Sequence, residues 1–210
     1  MSAGNDAVFW DGQAQSYSKR PVKDNEAYQR TLDRTCALLK DSDNVLELGC
    51  DTGSTALRLA HTTRSYLGTD ISAEMIQIAN GKAGSENSTL SFRTATAETL
   101  AAEEDRYNAV LAFNYLHLVR DLPSTLRSIH GLLGDGGLFI SKTGCVGEMN
   151  VMLRLAIPVA RLVGKAPFVN TFVEPELLQS ITEAGFEIIE KEIHASSHND
   201  HRPFIVARKM

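Results

Sequence analysis

Short apolar runs alternate with segments of helical periodicity along most of the chain, and this alternation predicts an α/β fold. The apolar runs predict strands at 45–49, 65–70, 89–94, 107–113 and 138–142. Apolar residues three or four positions apart predict helices at 25–40, 54–61, 72–80, 121–133 and 174–184. Strands and helices that alternate in this way form βαβ units, so we expect an open, doubly wound and mostly parallel sheet.

The end of the chain departs from this alternation. Two further strands are predicted at 186–193 and 203–208, and the polar loop between them is too short for a crossover helix. They should therefore pair antiparallel, which gives a seven-stranded sheet with an antiparallel last strand. We expect a single domain over 1–210. Its predicted parts are N-terminal lid helices (1–44), a cofactor-binding core (45–143), a lid or substrate insertion (144–173) and a C-terminal helix and hairpin (174–210).

The turn after the first strand, Glu47–Ser54, carries residues that indicate a nucleoside ligand. Ligands of such sheets lie at the carboxyl ends of the strands, near the point where the strand order reverses. Glycines in the turn let the backbone bend sharply and approach a ligand closely. Asp70 ends the second strand, 21 residues after Gly49, where a carboxylate can accept hydrogen bonds from both ribose hydroxyls.

The same turn separates two classes of nucleoside cofactor. A nicotinamide-binding turn has the pattern G-x-G-x-x-G, and its diphosphate sits against the helix N-terminus. Here Asp51 occupies the place of the second glycine, and Glu47 adds another carboxylate. Two carboxylates repel a diphosphate and suit a cation, such as the ammonium and sulfonium groups of S-adenosylmethionine.

Five segments follow one another in a recognisable order. They are VLELGCDTGSTA (45–56), TDIS (69–72) with Met75, TAETL (96–100), AFNYLHLV (112–119) and LLGDGGLFISKT (132–143). In this order they resemble the motifs of the class I S-adenosylmethionine-dependent methyltransferases, and the most similar branch is the small-molecule group that includes the ubiquinone and menaquinone C-methyltransferases. The resemblance implies a Rossmann-like methyltransferase fold with a helical lid. It also implies S-adenosylmethionine as cofactor and S-adenosylhomocysteine as product.

The resemblance assigns residues to the methionine end of the cofactor. Gly49, Cys50 and Gly53 are expected to lie against the methionine part. Glu47 is expected to act on its amino group through water, and Asn114 to lie near the same end. Cys50 is interpreted as a small packing residue rather than a nucleophile, because nothing nearby in sequence activates its thiol.

The resemblance also assigns residues to the adenosine end. Asp70 is expected to bind the ribose, and Ile71 and Met75 to pack on the adenosine. The backbone of Ala97 and the side chain of Glu98 are expected to meet the amino edge of the adenine.

Two further features complete the expected site. The N-terminal segment WDGQAQSY resembles the family's lid, in which Tyr17 closes over the cofactor. The chief departure from the family is Asp51, which stands where other members have glycine. A side chain that points outward at this position would leave the approach of the cofactor open.

Composition and net charge restrict the classes of ligand and partner that we expect. Lys and Arg number 21 and Asp and Glu 26, so the formal net charge is −5 and nucleic acid is not an expected partner. The three cysteines are far apart, which is typical of the reducing cytoplasm and predicts no disulfide and no zinc site. His194, His198 and His201 flank the last hairpin, where we expect a solvated loop and no metal.

The insertion contains a basic and apolar stretch, 149–173, with Arg154, Arg161 and Lys165 and no acidic residue. One interpretation is a lid for an apolar or anionic acceptor, or a segment in peripheral contact with a membrane surface. The other is a partly buried helix whose basic side chains extend to solvent. The stretch is too short and too interrupted by charge and proline to span a bilayer.

Together these patterns predict in-line transfer of the sulfonium methyl group to a small-molecule acceptor, an activity of the EC 2.1.1 type. His117 follows the fourth strand and is the candidate general base, with a structural rim histidine as the alternative. Two other functions stay open. One is a non-catalytic S-adenosylmethionine-binding module. The other is a nicotinamide-dependent oxidoreductase, which the missing G-x-G pattern and the missing Tyr-x-x-x-Lys pair disfavour.

Overall fold

Strands and helices alternate along the chain as the sequence predicts. The computed structural model describes residues 3–84, 89–149, 151–162, 164, 166–195 and 200–210. The strands are β1 Asn44–Leu48, β2 Ser65–Asp70, β3 Leu90–Thr94, β4 Tyr107–Phe113, β5 Leu133–Lys142, β6 Phe186–Glu192 and β7 Phe204–Lys209. The α-helices are α1 Ala3–Tyr17, α2 Asn25–Leu38, α3 Ala56–Leu59, α4 Ala73–Ala83, α5 Ala97–Leu100, α6 Leu122–Leu132, α7 Val151–Leu162 and α8 Glu174–Glu183. Turns of 3-10 helix lie at Ala60–Thr62, Leu116–Leu118 and Val146–Glu148.

The seven strands form one sheet in the order β3-β2-β1-β4-β5-β7-β6. The pairs from β3 to β5 are parallel, and β7 runs antiparallel to both β5 and β6. The predicted α/β fold class is therefore confirmed, with its reversed strand next to the edge. The strand order reverses between β1 and β4, and this is the place where open sheets of this kind bind ligands.

The two faces of the sheet bury different residues of the same strands. Leu46 and Leu48 of β1 belong to an apolar layer that includes residues of α6 and α8. Val45, which directly precedes Leu46, belongs to the opposite layer with residues of α2 and α3. Successive side chains of a strand point to opposite faces. A strand covered by helices on both sides therefore reads as an unbroken apolar run.

Local capping chemistry fixes where two helices begin, as the sequence predicts. The Ser72 hydroxyl accepts a hydrogen bond from the Met75 amide at 3.1 Å and caps α4. The Asp121 carboxylate accepts one from the Ser124 amide at 2.9 Å and caps α6. Each cap satisfies an amide that the helix itself leaves without a partner.

The start of β5 differs from the prediction. The sequence placed a stop at residues 134–137 and the strand at 138–142, whereas the strand begins at Leu133, directly after α6. The pairing with β4 jumps from Tyr107 opposite Leu133 to Ala109 opposite Leu138. The glycine-rich stretch is therefore a bulge within a longer strand, and Gly136 takes the left-handed conformation that a bulge favours.

No helix among the described residues is long and apolar enough to cross a membrane. No group of three or more His, Cys, Asp or Glu side chains is arranged there to hold a metal ion. His194 stacks on Phe204 and lies 3.0 Å from the Thr31 hydroxyl, and His201 pairs with Glu148. His198 lies outside the described residues.

Candidate active site

Strands β1, β2 and β4 end at the same edge of the sheet, and two cavities open there. The first cavity has a volume of about 430 Å³ and the second about 620 Å³. Gly49, Asp51 and Asn114 line both of them. The two cavities therefore adjoin at the turn after β1, and together they can hold an elongated ligand with a second molecule beside it.

The first cavity is lined by residues that the motifs assign to adenosine. Asp70 and Ile71 reach it from the end of β2, and Glu98 from α5. The Thr125 hydroxyl donates a hydrogen bond to Glu98 Oε1 at 2.6 Å, which fixes the direction of that carboxylate. Tyr115 adds an aromatic ring to the wall. A flat base with a polar edge fits such a surface.

Asp70 is held in place before any ligand arrives. Its side chain is buried, and its two oxygens accept hydrogen bonds from the amides of Ser72 at 2.9 Å and Asp51 at 3.1 Å. Burial raises the pKa of Asp70, and the amide hydrogen bonds oppose that rise. Each carboxylate oxygen keeps a further lone pair for a ligand hydroxyl, because an ionised carboxylate offers about four acceptor sites.

Glu47 is a buried carboxyl on the side of the second cavity. The Tyr66 hydroxyl donates a hydrogen bond to its Oε2 at 2.9 Å. Burial raises the pKa of Glu47 to about 8, with the charges of Asp51 and Asp70 adding to the rise. Three carboxyls are therefore concentrated where the two cavities meet, and a cation bound there would favour their ionised forms by lowering the pKa of each.

Asp51 does not point away from the site. Its backbone has φ of +50°, in the left-handed region that favours glycine, and its residue lines both cavities. The Tyr17 hydroxyl donates a hydrogen bond to Asp51 Oδ2 at 2.9 Å. Burial raises the pKa of Asp51 to about 7. The family's usual glycine is thus replaced by an acid that the end of α1 contacts directly.

The two glycines of the turn have different reasons to lack a side chain. Both have positive φ, +67° at Gly49 and +76° at Gly53. A Cβ on Gly49 would lie 2.8 Å from the ring of Tyr115, at the cavity wall. A Cβ on Gly53 would lie 2.7 Å from the ring of Phe92, inside the protein. Gly53 therefore serves the packing of the turn against β3.

The structure brings most of the predicted site residues to the cavities. Those that line one or both are Tyr17, Glu47, Gly49, Cys50, Asp70, Ile71, Glu98 and Asn114. Three other predicted cofactor-binding residues do not line either cavity. Met75 and Ala97 are fully buried beneath them, and Gly53 packs on Phe92. The roles of all these residues stay predictions.

His117 lies outside the lining of both cavities. Its Nδ1 is 2.9 Å from the Thr143 hydroxyl, which also accepts a hydrogen bond from the His117 amide at 3.2 Å. Burial lowers the pKa of His117 to about 4, so the imidazole is neutral at pH 7. Its carbonyl accepts a hydrogen bond from the Asn170 amide. These contacts favour the structural alternative for His117 over the general base.

Sequence reasoning missed the contacts that hold α1 over the first cavity. Arg120 donates two hydrogen bonds to the Asp6 carboxylate, at 2.7 and 2.8 Å. Asp11 Oδ1 accepts from the Ser72 hydroxyl at 2.6 Å, and Trp10 lines the cavity. The paired residues are 61 to 114 positions apart, so no local pattern announces them.

The basic stretch of the insertion contributes little to the cavities. Among its described residues Met149 alone lines one, the second cavity. The Arg161 guanidinium lies 5.0 Å from the centre of the Phe168 ring, and the Arg120 guanidinium lies 4.9 Å from the same ring. The side chains of Arg154 and Lys165 fall outside the described residues.

Comparison with known proteins identifies the family. Residues 20–191 match the model of a family described as a methyltransferase domain, which covers most of the chain. The chain therefore belongs to this methyltransferase family. The match and the fold confirm the expected class, the class I S-adenosylmethionine-dependent methyltransferases, and with it the expected cofactor.

Individual relatives share only part of their length with this chain. It is 32% identical over 112 residues to the juvenile hormone acid O-methyltransferase of Bombyx mori, which is 50% of this chain and 40% of that protein. It is 31% identical over 99 residues to the ubiquinone biosynthesis O-methyltransferase of Cereibacter sphaeroides, 47% of this chain and 40% of that protein. The chain thus spans less than half the length of these two curated relatives.

A solved structure extends the likeness to nearly the whole chain. Magnesium protoporphyrin IX methyltransferase from Synechocystis PCC 6803, with bound S-adenosylhomocysteine, superposes with a TM-score of 0.71. The match covers 98% of this chain and 96% of that one, with 18% identity. At that identity the likeness establishes the fold.

The residues present fit this cofactor. Glu47, Asp51 and Asp70 are carboxyls at the junction of the cavities, and burial raises the pKa of each. None of them takes part in an ion pair within the described part of the chain. Lys82, whose charge acts on Asp51, donates its hydrogen bonds to Thr52 and Ser54. A cationic ligand would supply the missing counter-charge.

Proposed function

We propose that this protein transfers the methyl group of S-adenosylmethionine to a small-molecule acceptor bound in the second cavity. The observation that carries the proposal is the group of three buried carboxyls, without an ion-pair partner among the described residues, where the two cavities meet. The cofactor's adenosine would occupy the first cavity and its methionine part the junction. The acceptor would then approach from the second cavity.

Each part of the site has a physical task in this proposal. When bound, the cofactor supplies an electrophilic methyl group on a sulfonium. Asp70 holds the ribose, and Glu47 and Asp51 hold the ammonium group. The acceptor atom would have to lie in line with the methyl carbon and the sulfur of the bound cofactor. The chain must hold these atoms in line and exclude water, and such positioning supplies about 7–11 kcal/mol.

The lining of the cavities bears on the kind of acceptor. No histidine lines either cavity in the described parts of the chain. An acceptor whose nucleophilic atom is already ionised or unprotonated needs no base, so such an acceptor fits best. One relative is named for its action on an acid, juvenile hormone acid, which supports an anionic acceptor here as well.

The test is calorimetric titration with S-adenosylhomocysteine and, as a control ligand, NAD. We expect S-adenosylhomocysteine to bind and NAD not to bind. Asp70→Ala removes two charge-assisted hydrogen bonds, each worth roughly 1.5–3 kcal/mol, so affinity should fall by at least about 100-fold. Asp135→Ala, an exposed acid outside both cavities, is the matched control and should bind as the wild type does.

Unchanged affinity in Asp70→Ala, with circular dichroism showing an intact fold, would reject the ribose role. Transfer of labelled methyl groups to members of a metabolite panel then separates an enzyme from a non-catalytic binding module. Binding of the cofactor without transfer to any acceptor would favour the binding module.

A further inference from the structure

A buried lysine marks the second cavity at the end of β5. Lys142 lines this cavity, and only 8% of its surface is exposed. Ammonium groups are rarely buried to this degree without an ionic partner, because removal of the charge from water is costly. The groups around Lys142 therefore indicate which class of ligand the second cavity binds.

The ammonium group of Lys142 has a neutral partner in the folded chain. Its Nζ donates a hydrogen bond to the Thr31 hydroxyl at 3.0 Å. No ion pair among the described residues includes Lys142. The Asp200 carboxylate is engaged by Arg202 through two hydrogen bonds, at 2.6 and 3.0 Å. An ammonium group has three donors, so hydrogen-bonding capacity remains for a ligand.

Burial and the charged groups around Lys142 act on its ammonium group in opposite directions. Burial lowers the pKa of Lys142, and Arg202 and Arg30 lower it further, while Asp200 and Asp24 oppose them. An anion beside Nζ would reverse the effect of burial, because an opposite charge within about 4–6 Å favours the charged form. Arg202, which is paired with Asp200, and Asp24 line the same cavity.

Part of the wall is apolar, beside polar and charged residues that include Asp24 and Asp51, and this part suits an apolar body on the ligand. Leu32, Phe113 and Met149 line the second cavity, and Phe113 ends the strand next to Lys142. The Asn114 amide bonds to the Lys142 carbonyl at 2.7 Å, so the lysine adjoins a residue shared by both cavities. A ligand anchored at Lys142 would therefore extend along apolar side chains beside the cofactor site.

We propose that Lys142, supported by Thr31, is the counter-charge for a carboxylate carried by the methyl acceptor, and that the acceptor has an apolar body. This inference rests on the proposed function and names the acceptor class for the same site. The cofactor also carries a carboxylate. The experiment therefore distinguishes binding of the acceptor's carboxylate to Lys142 from binding of the cofactor's carboxylate.

The probes are straight-chain carboxylates of about four to twelve carbons and the primary amides of the same lengths. Binding is measured by ligand-observed NMR, with and without saturating S-adenosylhomocysteine. In the wild type we expect at least one carboxylate to bind about 10-fold more tightly than its amide, a difference of about 1.4 kcal/mol.

Three variants connect this preference to the lysine. Lys142→Met keeps the length and removes the charge, and it should bind carboxylate and amide about equally. Lys142→Arg keeps the charge and should retain part of the preference. Lys40→Met, at an exposed lysine outside both cavities, should bind as the wild type does. Because Lys142→Met replaces an unpaired buried charge with an apolar side chain, its melting temperature should not fall.

Three results would overturn the inference. One is the lack of a carboxylate preference at every chain length in the wild type, which needs no variant to fold. Another is a preference that survives in Lys142→Met. The third is a loss of S-adenosylhomocysteine affinity in Lys142→Met with the preference unchanged, which would assign the lysine to the cofactor's own carboxylate. If the wild type does not bind S-adenosylhomocysteine, the proposed function is wrong. The comparison of carboxylates with amides in the absence of S-adenosylhomocysteine then still tests the role of Lys142.

Discussion

At the scale of single residues, Asp51 distinguishes this site from the pattern of its family. A non-glycine residue with φ of +50° costs of order 1–3 kcal/mol of strain, and the chain carries that cost at the edge of both cavities. The side chain gains a hydrogen bond from Tyr17 and lies within reach of the charges of Asp70 and Lys82. An acid in this place makes ligand binding depend on pH.

The expected pH dependence follows from the raised pKa values, about 7 for Asp51 and about 8 for Glu47. At pH 6 both groups hold a proton for much of the time, and a cationic ligand must first displace it. The affinity for S-adenosylhomocysteine, whose amino group is cationic, should therefore rise at least about 10-fold between about pH 6 and pH 8. Calorimetry across this range measures it.

Asp51→Asn provides the control for this prediction. An asparagine can still accept the hydrogen bond of Tyr17, but it carries no proton that a ligand must displace. The rise in affinity with pH should be smaller in this variant, with Glu47 as the remaining contributor. A wild-type affinity that stays constant or falls between these pH values would contradict the assignment of the two acids to the ammonium group.

At the scale of elements, α1 joins parts of the fold that are distant in sequence. Asp6 contacts Arg120 after β4, Asp11 contacts Ser72 before α4, and Tyr17 contacts the turn after β1. The helix thus lies beside the first cavity, which Asp6 and Trp10 line, and these three contacts are polar. Polar contacts of partly exposed groups are weaker than core packing, so we expect α1 to open more readily than the sheet unfolds.

We predict that Asp6→Ala speeds the dissociation of S-adenosylhomocysteine about 3- to 10-fold, because the two hydrogen bonds to Arg120 help hold α1 closed. Trp10 is the single tryptophan of the chain and lines the first cavity, so stopped-flow fluorescence can follow the rate. Glu103→Ala breaks an exposed ion pair with Arg93 away from the cavities and should leave the rate unchanged. Equal rates in Asp6→Ala and wild type would show that this contact does not hold the lid.

The elements also show which helices and strands hydrophobic periodicity predicts correctly. The predicted helices α4, α6 and α8 are present because each has an apolar face that packs on the sheet. The seven predicted strands are present because their apolar residues are covered by the helices. The sequence predicts a simple stop at residues 134–137, where the structure has a bulge, because glycines are typical of both. The helix predicted at 54–61 is only Ala56–Leu59 with a 3-10 turn after it, because the left-handed residues of the preceding turn delay its start.

At the scale of the whole molecule, the edge of the sheet and the ends of the chain are connected. Strand β6 lies at an edge, and Arg34 of α2 pairs with its Glu190. Charged side chains along β6, including Glu187 and Lys191, discourage pairing with another chain. The pairing also joins the N-terminal region to the last hairpin, so we expect the two to unfold together.

Ligand binding should therefore stabilise the molecule as a whole. A ligand that binds only the folded state at about 100 times its Kd adds about 2.7 kcal/mol. For a chain of this size that raises the melting temperature by about 5–10 °C. We expect this shift with S-adenosylhomocysteine and none with NAD in differential scanning fluorimetry. A similar shift with both ligands, or with neither, would contradict a site selective for the cationic cofactor.

The sequence by itself determined the α/β alternation, the helix caps and the carboxylates of the turn after β1. These features depend on residues close together in the chain, where spacing and side-chain type are enough to predict structure. It also placed Glu47 and Asp70 at ligand-facing strand ends, because parallel strands end at a common edge.

Only the tertiary structure decided which side chains meet across that edge. Tyr17 reaches Asp51 over 34 positions, and Lys142 reaches Thr31 over 111. His117 was placed near the acceptor from its position in the chain, yet the fold turns it toward Thr143. The direction of a side chain and the charge of its neighbours depend on how separate elements pack, and packing is set by the whole core rather than by any local pattern.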